Sequence, residues 1–129
     1  MTPTQRTVHK LRAEGYGLVE NVQKWIPQAR RFHDFGGFAD VLAVRGDEML
    51  AVQATSTSNM SHRFTKMEVM PMVAYWLTAP NRRLEIHGWA KRGPRGKPKH
   101  WTCRVVTLQF EEHNGGSKLT MVEQKGNVK

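Results

Sequence analysis

Apolar positions along this chain alternate between helical and strand rhythms. Residues 2–14 carry helical spacing through Val8 and Leu11; Thr2 caps the segment, Pro3 suits the first helical position, Gln5 completes a capping box and Gly15 stops the run. Partial alternation predicts a first strand over about 18–25. Residues 38–45 and 48–54 are two nearly continuous apolar runs separated by Gly46-Asp47, which predicts a hairpin with a two-residue loop. In that register the numbers of opposing residues sum to 93, so Arg45 faces Glu48 and Asp40 faces Gln53, with Thr55 on the same sheet face. Strands apolar on both faces predict a sheet covered on both sides. Helical spacing resumes over 59–79 through Met60, Phe64, Met67, Val73, Trp76 and Leu77, with a break at Pro71, which can open a second helix. Arg83–Trp89 alternates as a strand, 90–100 reads as a loop, 102–110 as a last strand and 113–129 as a flexible tail. The expected fold is α/β: one domain over 1–112 with a central mixed sheet flanked by helices.

At 129 residues the length suits one domain, and 39% hydrophobic residues supply one modest core. The single cysteine, Cys103, cannot close an intramolecular disulfide, no Cys/His pair has zinc-finger spacing, and the six histidines show no ligand pair at helical spacing. With neither an export signal nor a membrane span in view, the expectation is a cytoplasmic protein in a reducing compartment.

Net charge is +9, and +7 of it falls within residues 81–104, where Arg82, Arg83, Lys91, Arg92, Arg95, Lys97, Lys99 and Arg104 face the single acid Glu85. A basic cluster edged by Trp89 and Trp101 predicts contact with a phosphate backbone and rings for base stacking. Within it Arg95-Gly96-Lys97-Pro98 has the look of an extended minor-groove arm. Gly96-Lys97 is not a phosphate-binding loop, because Lys91 stands where its first glycine belongs and Pro98 where Ser or Thr belongs.

Candidate chemistry starts from the hairpin arithmetic. Asp40 and the Gln53 amide meet across the two strands, and Asp34 lies one short step earlier, joined through Phe35-Gly36-Gly37, whose glycines permit a turn that returns its carboxylate to the same point. Hard oxygen donors gathered there suit Mg²⁺ or Mn²⁺, which polarises a phosphate and acidifies a bound water.

These residues resemble the PD-(D/E)XK nuclease superfamily, which includes restriction endonucleases and archaeal Holliday-junction resolvases. That family's core runs helix, three-stranded meander, helix, strand, with an Asp on the second strand and Glu-x-Lys on the third. Asp40 in Gly37-Phe38-Ala39-Asp40-Val41-Leu42-Ala43 takes the first position and Gln53-Ala54-Thr55 the second, so the second acid is Gln53 and the lysine is Thr55. The resemblance covers residues 1 to about 90, and the string Gln53–Asn59 with Arg63, Lys66 and His87-Gly88-Trp89 is similar to a variant subgroup in phage and bacterial proteins.

The resemblance implies a metal-dependent DNA endonuclease, with branched DNA such as a junction among its substrates, and a homodimer in a prokaryotic or phage-infected cell. Asp40, Asp34 and Gln53 would hold the metal, Asp34 or Glu20 supplying the second carboxylate. Lys66, on the following helix, would replace the missing lysine, with Arg63 on the same helical face; Thr55 would orient water or Lys66. Arg63, Arg82, Arg83, Lys91, Arg92, Arg95, Lys97 and Lys99 would hold the backbone. Two rivals stay open: a degenerate nuclease fold that binds nucleic acid without cutting, and an interaction protein whose basic loop meets an acidic partner.

Overall fold

The computed structural model describes residues 1–124, apart from the side chain of His113. The first helix, α1 (Pro3–Ala13), begins at a complete capping box: Thr2 Oγ1 accepts the Gln5 amide at 3.1 Å and the Thr2 amide donates to Gln5 Oε1 at 2.9 Å. The chain then enters β1 (Leu18–Asn21), which is shorter than its alternation predicts. Asn21 Oδ1 accepts the Gln23 amide at 2.9 Å, an Asx turn that lifts the chain out of the sheet. Residues beyond it form β2 (Lys24–Ile26), which pairs only with β3 (Arg31–His33) in a separate two-stranded ribbon.

The hairpin of β4 (Val41–Arg45) and β5 (Glu48–Ser56) has the predicted register, from Val41 opposite Val52 to Arg45 opposite Glu48. Gly46 leads its two-residue loop at φ +60°, where a side chain is disfavoured. The first strand of the pair starts later than predicted, because Phe38–Asp40 belong to a tight loop closed by the bridge Phe35–Ala39. A 3₁₀ turn over Thr57–Asn59 leads to α2 (Met60–Met67); Pro71 then occupies the first turn of α3 (Pro71–Trp76), so the predicted break is there. A long hairpin follows, β6 (Arg82–Arg92) and β7 (His100–His113), and the chain closes with β8 (Gly116–Glu123).

Six strands form one mixed sheet in the order β1-β4-β5-β6-β7-β8, with β5 and β6 parallel and the other neighbours antiparallel. Both faces are covered over the central strands. On one face Leu11 of α1 packs with Tyr16, Val19, Val41, Ala43, Leu50 and Val52. On the other, Met60, Met67, Val73 and Trp76 of the paired helices cover Ala51, Leu84, Ile86, Val106 and Leu108. Each Leu, Ile, Val or Met side chain so buried contributes about 1.5–3 kcal/mol. Gly88 sets how closely α2 approaches β6, since an added Cβ would collide with Met60 Sδ and Cγ.

The expected tail at 113–129 is largely strand. Asn114 (φ 45°) and Gly115 (φ 81°) make an Asn-Gly hairpin turn, and β8 pairs with β7 from Val106–Glu123 to His113–Gly116. Only Leu119 of β8 is buried, so the strand lacks the apolar alternation that would have announced it. Residues 125–129 of the expected tail lie outside the described residues. Among the described residues no helix is long and apolar enough to cross a membrane.

Candidate active site

A cleft of about 710 Å³ opens at the end of the sheet where β5 finishes, between the ribbon, the N-terminal turn of α1 and the outer face of α2. Asp40 sits at its floor, 3% exposed and just before β4. The Asp40 amide donates to the Val52 carbonyl at 2.8 Å, and its Oδ2 accepts the Ala54 amide at 2.8 Å. Main chain and side chain of Asp40 are therefore both anchored to β5, one step beyond the last strand pairing.

Asp34 arrives from the ribbon. Gly36 (φ +61°) and Gly37 (φ +81°) take left-handed conformations, and the Gly37 amide donates to the Asp34 carbonyl at 3.0 Å, so the chain doubles back. The Asp34 carboxylate then meets Gln53, whose Nε2 donates to Oδ2 at 3.2 Å, and Gln23, whose Nε2 donates to Oδ1 at 3.1 Å. Burial, reinforced by the neighbouring Asp34 carboxylate, pushes the Asp40 carboxyl from its ordinary 3.8 up to about 7, against the amide donors of Ala54 and Gln53. The two acids share a cleft with Arg31, Arg63 and Lys66.

Gln53 turns its amide nitrogen toward Asp34, and its Oε1 accepts Arg63 at 3.4 Å. In this geometry it braces the acids against α2 and does not present its oxygen to them, which departs from the ligand role expected of it. Thr55 is buried on the same sheet face and lines the cleft, as do Arg63 and the exposed Lys66. Glu20 is exposed on β1 and lies outside this cleft, so it cannot provide the second carboxylate there. Sequence reasoning missed Gln23 and the ribbon residues Arg31, Phe32 and His33, which line the cleft. Their only signal was the absence of acids from residues 21–33 beside Lys24, Arg30 and Arg31.

Among the described residues no group of three or more His, Cys, Asp or Glu side chains is placed to hold a metal ion. Two carboxylates nevertheless suit Mg²⁺ or Mn²⁺, hard cations often held by one or two carboxylates together with waters and substrate phosphates. Asp34 and Asp40 are the two acids that would hold such an ion, which would displace the proton that burial and Asp34 favour on Asp40.

The basic cluster divides. Arg82 Nε donates to the Trp76 carbonyl at 2.7 Å and caps the end of α3, while Arg83 bonds Glu48 at 2.5 Å and Glu85 at 2.8 Å. Arg104 is paired with Glu123. All three arginines have partners within the chain, and Arg82 and Arg83, both expected to hold the backbone, remain partly exposed. Lys91, Arg92, Arg95, Lys97 and Lys99 remain exposed, without a carboxylate partner among the described residues, at the tip of the β6–β7 hairpin. Ser56 pairs with Trp89 in the parallel β5–β6 ladder, so this tip projects from the sheet end that carries the cleft. Arg95–Lys97 form a turn in which the Lys97 amide donates to the Pro94 carbonyl at 3.1 Å, not an extended arm. Trp89 Nε1 donates to Thr7 Oγ1 and the Arg6 guanidinium covers one face of Trp101 at 3.8 Å, so both rings expected to stack on bases tie the hairpin to α1.

On the opposite sheet face Glu85, His87 and Thr7 stand in a row: His87 Nε2 lies 2.8 Å from Glu85 Oε1, and Nδ1 lies 3.3 Å from Thr7 Oγ1. The order acid, imidazole, hydroxyl imitates a nucleophilic triad, but His87 is 1% exposed and Thr7 fully buried, so no substrate reaches the hydroxyl. Burial pushes the Glu85 carboxyl up, but His87, Gln124 and Arg83 outweigh it and hold the group below its ordinary range. The row is a satisfied internal network.

Compared with known proteins, the chain matches no family model, no curated protein and no solved structure.

Proposed function

We propose that the cleft hydrolyses phosphodiester bonds in DNA, with Asp34 and Asp40 holding a divalent cation. The observation that carries this reading is the meeting of Asp34 and Asp40 at the floor of an open cleft whose wall carries Arg63 and Lys66. Bound there, Mg²⁺ or Mn²⁺ would supply Lewis-acid charge and an acidified water. Asp40, fixed by the Ala54 amide, sets the position of the charge. Asp34 closes the site from the ribbon side and is aligned by Gln23 and Gln53. Lys66 and Arg63 bind non-bridging phosphate oxygens and stabilise the negative charge that grows on them during attack. Thr55, beneath them, accepts or donates a hydrogen bond to the attacking water. The hairpin tip with Lys91, Arg92, Arg95, Lys97 and Lys99 grips the backbone at the same sheet end.

A second reading, nucleic-acid binding without cleavage, is favoured by one observation: Gln53 is engaged by Asp34 and Arg63, and no third acid joins the pair among the described residues. Plasmid, four-way-junction and single-stranded substrates separate the two readings. With Mn²⁺ present the hydrolase nicks at least one of them; EDTA or Asp40→Ala reduces the rate by at least 100-fold, the order expected when a charge-placing group is lost. Salt-sensitive retention of DNA with no nicking under any of these conditions establishes the binding module instead.

A further inference from the structure

The β2–β3 ribbon carries the most exposed aromatic surface near the cleft. Trp25 and Phe32 are cross-strand partners, 50% and 58% exposed, with ring centroids 5.1 Å apart in an edge-to-face arrangement. An isolated two-stranded ribbon is marginal in water, and an aromatic pair left bare on it is a poor device for stability alone. The ribbon is nonetheless well defined locally: its connection from Pro27 to Arg30 is closed by the Ala29 amide on the Ile26 carbonyl at 3.2 Å and by the Arg30 amide on the Pro27 carbonyl at 3.3 Å.

Its charge is one-sided. Lys24, Arg30 and Arg31 lie on or next to the pair, and no acid occurs in residues 21–33. Arg31, Phe32 and His33 line the cleft, whose far wall carries Arg63 and Lys66. A strand lying along this cleft finds cations for its phosphates on both walls, Phe32 in the lining and Trp25 packed against Phe32. Duplex bases are already stacked on their neighbours, so exposed rings of this kind engage bases that are unpaired.

We infer that Trp25 and Phe32 form a stacking platform for unpaired nucleobases, making a single-stranded segment next to the cleft the preferred ligand. This inference rests on the nucleic-acid reading of the cleft and deepens it by naming the form of the substrate. Arg31 then pairs with the phosphate adjoining the stacked base, and Asp34, one residue beyond the ribbon, ties the platform to the floor of the site.

The test is binding in EDTA, so that cleavage plays no part, using a fluorescein-labelled 12-nucleotide oligo-dT and a blunt duplex of equal length with the full chain. Wild-type protein is expected to bind the single strand about tenfold more tightly than the duplex. Trp25→Ala and Phe32→Ala should each weaken single-strand binding by about 5- to 160-fold, the range for loss of one stacked base, and weaken duplex binding by much less. Trp25→Phe, which keeps a ring and guards against misfolding of the alanine variants, should restore most of the affinity. Equal affinity for the two ligands, or alanine variants that melt like wild type and bind the single strand as well, overturns the inference. So does concentration-dependent self-association that Trp25→Ala abolishes without any change in DNA binding, since the pair would then be a dimer contact. Single-strand preference without nicking in Mn²⁺ would sustain the platform while removing the hydrolase; nicking with unaltered binding in the variants would do the reverse.

Discussion

Asp40 is the residue at which fold and chemistry meet. Unfolded, its carboxyl titrates near the ordinary 3.8; in the folded chain burial and Asp34 move it to about 7. Between these pH values the folded chain binds the additional proton, so Asp40's contribution to stability falls as pH rises through this window and levels off above it. Asp40→Asn removes the repulsion while keeping an oxygen for the Ala54 amide, so its melting temperature relative to wild type should climb from pH 4 to pH 8. A difference that stays constant with pH would contradict the assigned origin of the shift. Glu85 behaves oppositely. Its carboxyl is held low, so its contribution is present above the ordinary carboxylate range and is lost as pH falls through the folded value. Glu85→Ala leaves His87 and Gln124 without their carboxylate partner, while Arg83 keeps Glu48, and should cost about 1–3 kcal/mol in urea unfolding, as expected for polar groups left without a hydrogen-bond partner; a loss below about 0.5 kcal/mol would show that the network is not holding the sheet.

The elements show which local signals decide a structure. Thr2, Pro3 and Gln5 fix the start of α1, Gly46-Asp47 fix the central hairpin and Pro71 separates α2 from α3, because each signal acts through neighbouring residues alone. What sequence patterning missed depends on distant partners or on sparse burial. The departure of the chain at Asn21 turns on one side-chain hydrogen bond, and β8 hides because it buries only Leu119. Gly88 belongs to the same class: its necessity comes from Met60, which lies far away in sequence. Gly88→Ala should destabilise the fold by about 1–3 kcal/mol, the usual cost of overpacking. Combined with Met60→Ala it should cost less than the sum of the two single changes, because the smaller side chain vacates the space that the new methyl needs. Additive losses in a double-mutant cycle would show that the collision is relieved elsewhere.

At the scale of the molecule, charge and topology are arranged toward one end of the sheet. The sequence revealed a concentration of cations over 81–104, but not that Arg82, Arg83 and Arg104 have partners in other elements while the exposed cations of the hairpin tip have no carboxylate partner among the described residues. Partners from β5, α3 and β8 make that division, and their positions follow from the fold. Likewise the glycines before Phe38 announced the turn that returns Asp34 to Asp40, whereas Gln53's orientation depends on Arg63 across the crossover. The division has a measurable consequence. Replacing Lys91, Lys97 and Lys99 with Gln should flatten the dependence of log affinity for DNA on log salt by up to about 2–3 units, at about 0.9 per phosphate contact. Arg104→Gln should leave that slope unchanged; equal effects would place the backbone track elsewhere.

The central claim is that Asp34 and Asp40 together form a cation site. Calorimetric titration of Mn²⁺ into the metal-free protein at pH 6.5, repeated in buffers of different ionisation heat, tests it directly. One site should appear, binding should release a proton as the cation displaces it from Asp40, and Asp40→Asn should weaken the affinity at least tenfold. Absence of binding at millimolar Mn²⁺, or binding of the same strength to Asp40→Asn, would contradict the account.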